Sequence, residues 1–154
     1  MRRRRSVVVM TVTMSSEERE AFLADVHVGV LSVGRESLGP LTVPVWYSYS
    51  AGGVVSVITS AKSRKALLIA AAGRFSLCAQ SEAAPYKYVS VEGPVTVTES
   101  PVDESEHRAM AHRYLGKEFG DLYLAATAAE AADNCVIRMA PESWIASDFA
   151  KEYQ

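Results

Sequence analysis

Residues 41–68 read LTVPVWYSYSAGGVVSVITSAKSRKALL. The first ten are rich in β-branched and aromatic residues, as a strand is. Ala51, Gly52 and Gly53 supply a turn, and residues 54–60 read as a returning strand. Residues 61–68 then enter a helix through Lys62, Arg64 and Lys65. Cations in a first turn oppose the helix macrodipole, a cost that a bound anion cancels. With the hydroxyls of Thr59 and Ser60 and the free N–H groups of the helix, they make a site for a phosphate or carboxylate. A capped, solvated first turn is the plainer reading, and these residues alone leave both open.

Upstream of this stretch, Ser15 and Glu18 have capping-box spacing, so residues 16–25 are expected to form a short helix. Phe22, Leu23 and Val26 give it one apolar stripe. Residues 27–33 read as a strand and residues 34–40 as a polar, glycine-bounded loop. Downstream, residues 63–72 predict a helix with Ala66, Leu67, Ile69 and Ala70 buried and Gly73 as its C-cap. Residues 74–80 alternate as a strand. Residues 86–99 are either a strand pair or one strand bent at Gly93-Pro94. A helix opens after Ser100-Pro101 and ends at Gly116, and residues 121–133 predict a second one. Residues 135–139 and 144–149 close the chain as strands. Short neighbouring strands with single or paired helices favour a small antiparallel β-barrel with helices packed outside.

The 154 residues fit one domain, and with 22% charged residues the composition is that of a globular protein. A net charge of −2 gives no general attraction to nucleic acid or an anionic membrane, and neither is expected as a partner. No apolar run reaches the roughly 18–20 residues of a membrane span. Cys78 and Cys135 lack metal spacing and read as buried free thiols of a reducing cytoplasm. Residues 1–13 carry Arg2 to Arg5 and a short valine run, and read as a disordered or mis-started tail ahead of a domain over 14–154.

Other residues with chemical potential each have a plainer role beside the functional one. Pro44 lacks an N–H and leaves a neighbouring carbonyl without its donor, which a planar ligand with polar edges can use. Trp46 and Tyr47 point to opposite faces, so at most one faces a given pocket, and both also suit a core or an interface. Gln80 offers an amide to a ligand or to water. Tyr86, Lys87 and Tyr88 either cover a ligand or form an edge strand blunted by its lysine. His27 opens a strand, and His107 and His112 fall on different helix faces, so no metal site is expected. No histidine falls in the expected pocket. HExxH, CxxC, GxSxG and a GxGxxG before a helix are all absent from the sequence. With no nucleophile–base pair, no catalytic residue is named, and the chemistry falls to a cofactor.

Taken in order, SSEEREAFLADVHVGVLSV (residues 15–33), LTVPVWYSYS, the GG turn, VVSVITS, the K-x-R-K helix entry and YKYVSVEGPVTV (residues 86–97) form a familiar pattern. Residues 14–144 resemble the pyridoxamine 5'-phosphate oxidase-like split-barrel family, in particular a small actinobacterial branch with enzymes that use the deazaflavin F420. The resemblance implies a mainly β, antiparallel split β-barrel with peripheral helices. It also implies a homodimer with two equivalent cofactor sites at the interface. The cofactor, FMN or alternatively F420, would place its phosphate by Lys62, Arg64 and Lys65, with Thr59 and Ser60 alongside. Its ring would lie along Val43, Pro44, Val45 and Trp46, with Gln80 at the end of the next strand. Tyr86, Lys87 and Tyr88 would close the site from the same or the other subunit. The implied activity is hydride transfer between the ring and a small planar or conjugated substrate. The alternative is a non-enzymatic flavin or haem carrier of the same fold, although haem would need one of the three histidines as axial ligand. The polyglutamate tail of F420 would reward further cations, for which Arg74 and Lys87 are candidates. The last ten residues, IASDFAKEYQ, do not resemble the C-terminal substrate segment of true pyridoxamine phosphate oxidases, so vitamin B6 synthesis is not expected.

Overall fold

A computed structural model describes residues 11–154. Seven strands form one antiparallel sheet: β1 (Gly29–Arg35), β2 (Leu38–Val45), β3 (Val55–Ser60), β4 (Arg74–Gln80), β5 (Lys87–Glu99), β6 (Asn134–Met139) and β7 (Ser143–Asp148). The order is β2-β1-β4-β5-β6-β3, with β7 added to β5. Three helices pack around the sheet: α1 (Ser16–Ala24), α2 (Arg64–Ala72) and α3 (Glu104–Ala126). The sheet curls into a half-barrel, and the chain has the split β-barrel fold.

β5 is the strand that bends the sheet. Its first half lies between β4 and β7, and its second half pairs with β6. The change of partner falls at Gly93-Pro94, where a Cβ on Gly93 would run into the backbone carbonyl of Ala140. Hydrogen bonds from Ala140 N–H to the Pro94 carbonyl and from Glu142 N–H to the Glu92 carbonyl, both 2.9 Å, stitch that bend. Residues 86–99 are therefore one bent strand, and the strand pair is excluded. Inward-pointing Leu31, Val33, Phe75, Leu77, Val89, Val91, Val55, Val57, Ile137 and Met139 form the core, closed by Ile69 of α2 and Leu23 of α1.

The capping box of α1 is present in both directions, with Ser15 Oγ accepting from Glu18 N–H at 3.1 Å and Glu18 Oε1 accepting from Ser15 N–H at 3.0 Å. Gly73 caps α2 with φ +73°. Other expectations change. Val26 is exposed, as are Leu67 and Ala70 on α2. The run KALLIAAA is apolar on every side, so its composition could not say which side faces the barrel. Residues 34–40 form a two-residue turn at Glu36-Ser37 between longer strands, not an open loop. The helix expected to end at Gly116 continues beyond it through a break, with Gly116 at φ 77° and ψ 176°. Its second half ends at Ala126, short of the expected Asp133, and residues 131–133 form a 3-10 turn.

The expected hairpin across residues 51–53 also opens. β2 ends at Val45 and pairs with β1, β3 pairs with β6, and a single bridge joins Ser48 to Ser56. β2 is an edge strand, which is where a strand tolerates a proline. Residues 1–10 of the tail lie outside the described residues. Val12 and Thr13 are placed against β7: the Val12 carbonyl accepts from Asp148 N–H at 2.7 Å, and Thr13 bridges Ser147.

Candidate functional site

Where β2 runs out of ladder, a side chain takes over. The Tyr114 hydroxyl, from the first half of α3, accepts from Tyr47 N–H at 3.0 Å and lies 2.7 Å from the His27 carbonyl, to which it donates. One phenol thus satisfies backbone groups that the open hairpin leaves without strand partners. Its ring lies parallel to that of Trp46, with centroids 5.0 Å apart and planes at 5°. Tyr123, from the second half of α3, also meets Trp46, at 5.2 Å and 54°. Trp46 thus contacts two tyrosines of α3, while Tyr47 is fully buried. The Tyr47 hydroxyl donates to the Leu23 carbonyl at 2.7 Å, and burial pushes its pKa well above the usual phenol range. It is therefore a structural donor, not an acid or base at neutral pH.

The cationic entry to α2 is built as the sequence suggests, with one change. Ser63 caps the helix by accepting from Ala66 N–H at 3.2 Å, and Ser60 Oγ accepts from Lys62 N–H at 3.2 Å. No acidic residue occupies the first turn. Lys62, however, lies 3.6 Å from Asp133, at the surface. The expected trio of uncompensated charges is thus a pair: among the described residues, Arg64 and Lys65 have no carboxylate within ion-pair distance.

Lys65 and the end of β2 meet in one cavity of about 370 Å³, lined by Val28, Pro44, Val45, Trp46, Ile58, Lys65 and Tyr123. Thr59 and Ser60 open instead into an adjoining cavity of about 250 Å³. The two cavities share Trp46, Ile58 and Tyr123. His107, expected to lie away from the site, lines the second cavity, as do Met110, Ala111 and Asn134. A larger cavity of about 510 Å³ lies between residues 48–54 and α3 and holds none of the expected site residues. Its charged groups are already engaged. Glu106 pairs with Arg138 at 2.7 Å, and Arg113 donates to the Ala24 and Asp25 carbonyls at the end of α1.

The remaining expected residues are not gathered within one chain. Gln80 and Tyr88 stand opposite each other, two and three strands from β2 but on the same face of the sheet as Pro44. Tyr86 is exposed beside them. Lys87 faces the other side, 3.7 Å from Asp148, in a small cavity under α1. Arg74 pairs with Glu92 at 2.8 Å. Both cations considered for a polyglutamate tail are thus in ion pairs. Both thiols are free, Cys135 buried and Cys78 partly so, and burial pushes each pKa up. Neither is an activated nucleophile.

Tyr114, Tyr123, His107, Ile58 and Asn134 were not among the residues expected at the site. Helical spacing puts His107, Met110, Ala111 and Tyr114 on one face, but no local pattern says which strands that face meets.

A curled antiparallel half-barrel with helices packed outside defines the class of split β-barrels. Residues 15–148 match the family described as pyridoxamine 5'-phosphate oxidase, and the chain belongs to that family. Comparison with curated proteins gives no match. Among solved structures, the chain is similar to an F420 reductase (22% identity, 82% of this chain and 94% of that one, TM-score 0.68). It also resembles a conserved hypothetical protein from Mycobacterium tuberculosis (19% identity, 93% and 90%, TM-score 0.72). A FAD-binding protein from Mesorhizobium loti shares the fold as well (20% identity, 87% and 94%, TM-score 0.60).

Proposed function

We propose that the chain is an oxidoreductase that binds FMN or F420 in the cavity between the end of β2 and the entry to α2. One observation carries this reading: a single cavity joins Pro44, Val45 and Trp46 to Lys65, with Arg64 next to it in sequence and equally without a carboxylate partner. The residues fit such a cofactor. An aromatic wall and a strip of edge backbone suit a flat ring with polar edges, and two uncompensated cations suit its phosphate. When bound, the ring supplies hydride transfer to a small planar or conjugated substrate. The chain's own residues bind and orient: Lys65 and Arg64 hold the phosphate, and Trp46, fixed by Tyr114, sets the plane of the ring's neighbour.

The reading includes a homodimer. Pro44, Val30, Cys78, Ser90 and Ile145 form one row across five strands on the outer face of the sheet. Val28, next to that row, is 55% exposed and Ile145 is 65% exposed. A second copy against this face would cover them and bring Gln80, Tyr86 and Tyr88 across the interface toward the cavity. A binding-only role is the second reading, favoured by the absence of a paired acid and base in the 370 Å³ cavity. Fluorescence titration of the purified chain with FMN and with F420 tests the proposal. Micromolar binding is expected for one of them, and Lys65→Ala should weaken it by about 1.5–3 kcal/mol, the contribution of a charged hydrogen bond. Binding of neither would sink the reading. Binding without turnover of any reducible substrate would select the carrier.

A further inference from the structure

The two halves of α3 are anchored very differently. They meet at Gly116, whose φ of 77° and ψ of 176° are almost exclusively a glycine conformation. Before the break, Met110 and Ala111 are buried and Tyr114 bonds to the backbone of His27 and Tyr47. Beyond it, among residues 117–126, Gly120 alone is buried. Phe119 and Leu122 are 67% and 61% exposed. So short a helix is not stable by itself in water, and its place depends on the contacts it makes with the rest of the chain.

Those contacts are few. Gly120 sits against the first half of the helix: a Cβ there would come 2.6 Å from the His112 ring and 3.2 Å from the Ala111 backbone. His112 Nε2 lies 2.7 Å from one Asp121 carboxylate oxygen, and Lys117 lies 3.3 Å from the other. The His112 bond, then the Lys117 bond, holds the Asp121 carboxyl below the usual carboxylate range, so the acceptor is charged at neutral pH. Tyr123 meets Trp46. At its far end the segment leaves through a turn at residues 127–130, exposed from Ala128 on. The chain is next fixed at Asp133, whose carbonyl accepts from Ala61 N–H at 2.8 Å.

We propose that residues 117–126 form a hinged lid over Trp46, pivoting at Gly116 and latched by His112 and Asp121. Tyr123 is the side chain with which the lid covers. It walls both the 370 Å³ and the 250 Å³ cavity, so raising the lid uncovers Trp46 and opens both at once. A flat molecule lying between Trp46 and Lys65 enters and leaves with the lid raised. That gating role rests on the cofactor reading above, whereas the motion of the lid does not.

The test uses the full chain and four variants. His112→Ala and Asp121→Ala remove the latch, Gly120→Ala pries the lid from its seat, and His112→Gln keeps a donor for Asp121. Hydrogen–deuterium exchange in residues 117–126 should speed up by about 3- to 10-fold without the latch, the loss of one hydrogen bond, and stay unchanged in residues 104–115. His112→Gln should fall between parent and alanine. Acrylamide quenching of Trp46, read in a Trp144→Phe background with no ligand present, should rise in the same order. In stopped-flow binding of FMN and of F420, association and dissociation should both speed up by the factor seen in exchange. Affinity should stay nearly unchanged, because a lid sets how often the cavity opens and not what it holds. Thermal melting checks that each variant is folded. Unchanged exchange and quenching in folded variants overturn the lid. Faster exchange with unchanged association also overturns it, since residues 117–126 would then be a loose surface helix. So does a loss of affinity carried by dissociation alone, which would make the segment a fixed wall of the site. If neither FMN nor F420 binds while exchange and quenching rise as expected, the cofactor reading fails and the lid stands.

Discussion

Tyr114 shows how much one side chain can decide. Its hydroxyl accepts from the Tyr47 N–H, while its ring stacks parallel to Trp46. Tyr114→Phe keeps the stack and removes the hydroxyl, leaving that N–H without a partner. The expected loss is about 1–3 kcal/mol of stability, the cost of an unsatisfied buried donor, read from urea unfolding. A change below about 0.5 kcal/mol would mean that water takes the hydroxyl's place. Lys62 and Lys65 make a second residue-scale contrast. Lys65 lines the cavity, whereas Lys62 is 81% exposed and pairs with Asp133. In cofactor titrations Lys65→Ala should therefore cost clearly more affinity than Lys62→Ala, and the reverse order would place the phosphate nearer Asp133.

At the scale of elements, two devices set the frame in which the site sits. The first is the bend of β5. Because a Cβ on Gly93 meets the Ala140 carbonyl, Gly93→Ala must push β5 and the β6–β7 connection apart. A destabilisation of more than about 3 kcal/mol is expected in chemical denaturation, in the range that marks a backbone clash. The second is the cap of α1. The Ser15 N–H and then Lys151 hold the Glu18 carboxyl down from 4.5 to about 2. A carboxyl whose folded pKa is depressed stabilises the fold above its unfolded pKa, and the contribution is lost as pH falls through the folded one. The stability difference between parent and Glu18→Gln should thus be constant well above pH 4.5, fall as pH drops from 4.5 through about 2, and level off only below that. A difference that does not change with pH across this range would show that the carboxylate is not its source.

These elements also show what was legible. The capping box, the Gly73 cap and the alternation of residues 74–80 were read correctly because each is set by neighbours within a few residues. The buried face of α2 was misread because Leu67 and Ala70 are as apolar as Ile69, and only the barrel's position distinguishes them. Helix α3 was cut at Gly116 because a glycine with φ 77° both ends helices and joins two of them at a break.

For the molecule as a whole, the outer face of the sheet is the open question that assembly answers. If a second copy covers it, Ile145→Asp should place an unpaired charge in that interface. The expected outcome is a shift from dimer to monomer in sedimentation equilibrium. Cofactor affinity should fall at least about tenfold with it, although Ile145 lines neither cavity. A monomeric parent that binds cofactor at full affinity would remove the dimer from the proposal.

The sequence by itself marked where most strands lie, the caps of α1 and α2, the single domain and the local features of the proposed site: Pro44 and Trp46 about the end of β2 and the cationic entry to α2. Those features are local, carried by periodicity, turn residues and charge over spans of ten residues or fewer. Only the tertiary structure decided that β2 and β3 part company, that Lys62 is neutralised by Asp133, and that Lys87 faces away from the cavity. It alone brought Tyr114, Tyr123 and His107 of α3 against strands some fifty or more residues earlier in the chain. Such pairings depend on which surfaces the closed barrel leaves exposed. No local pattern along 41–68 records them.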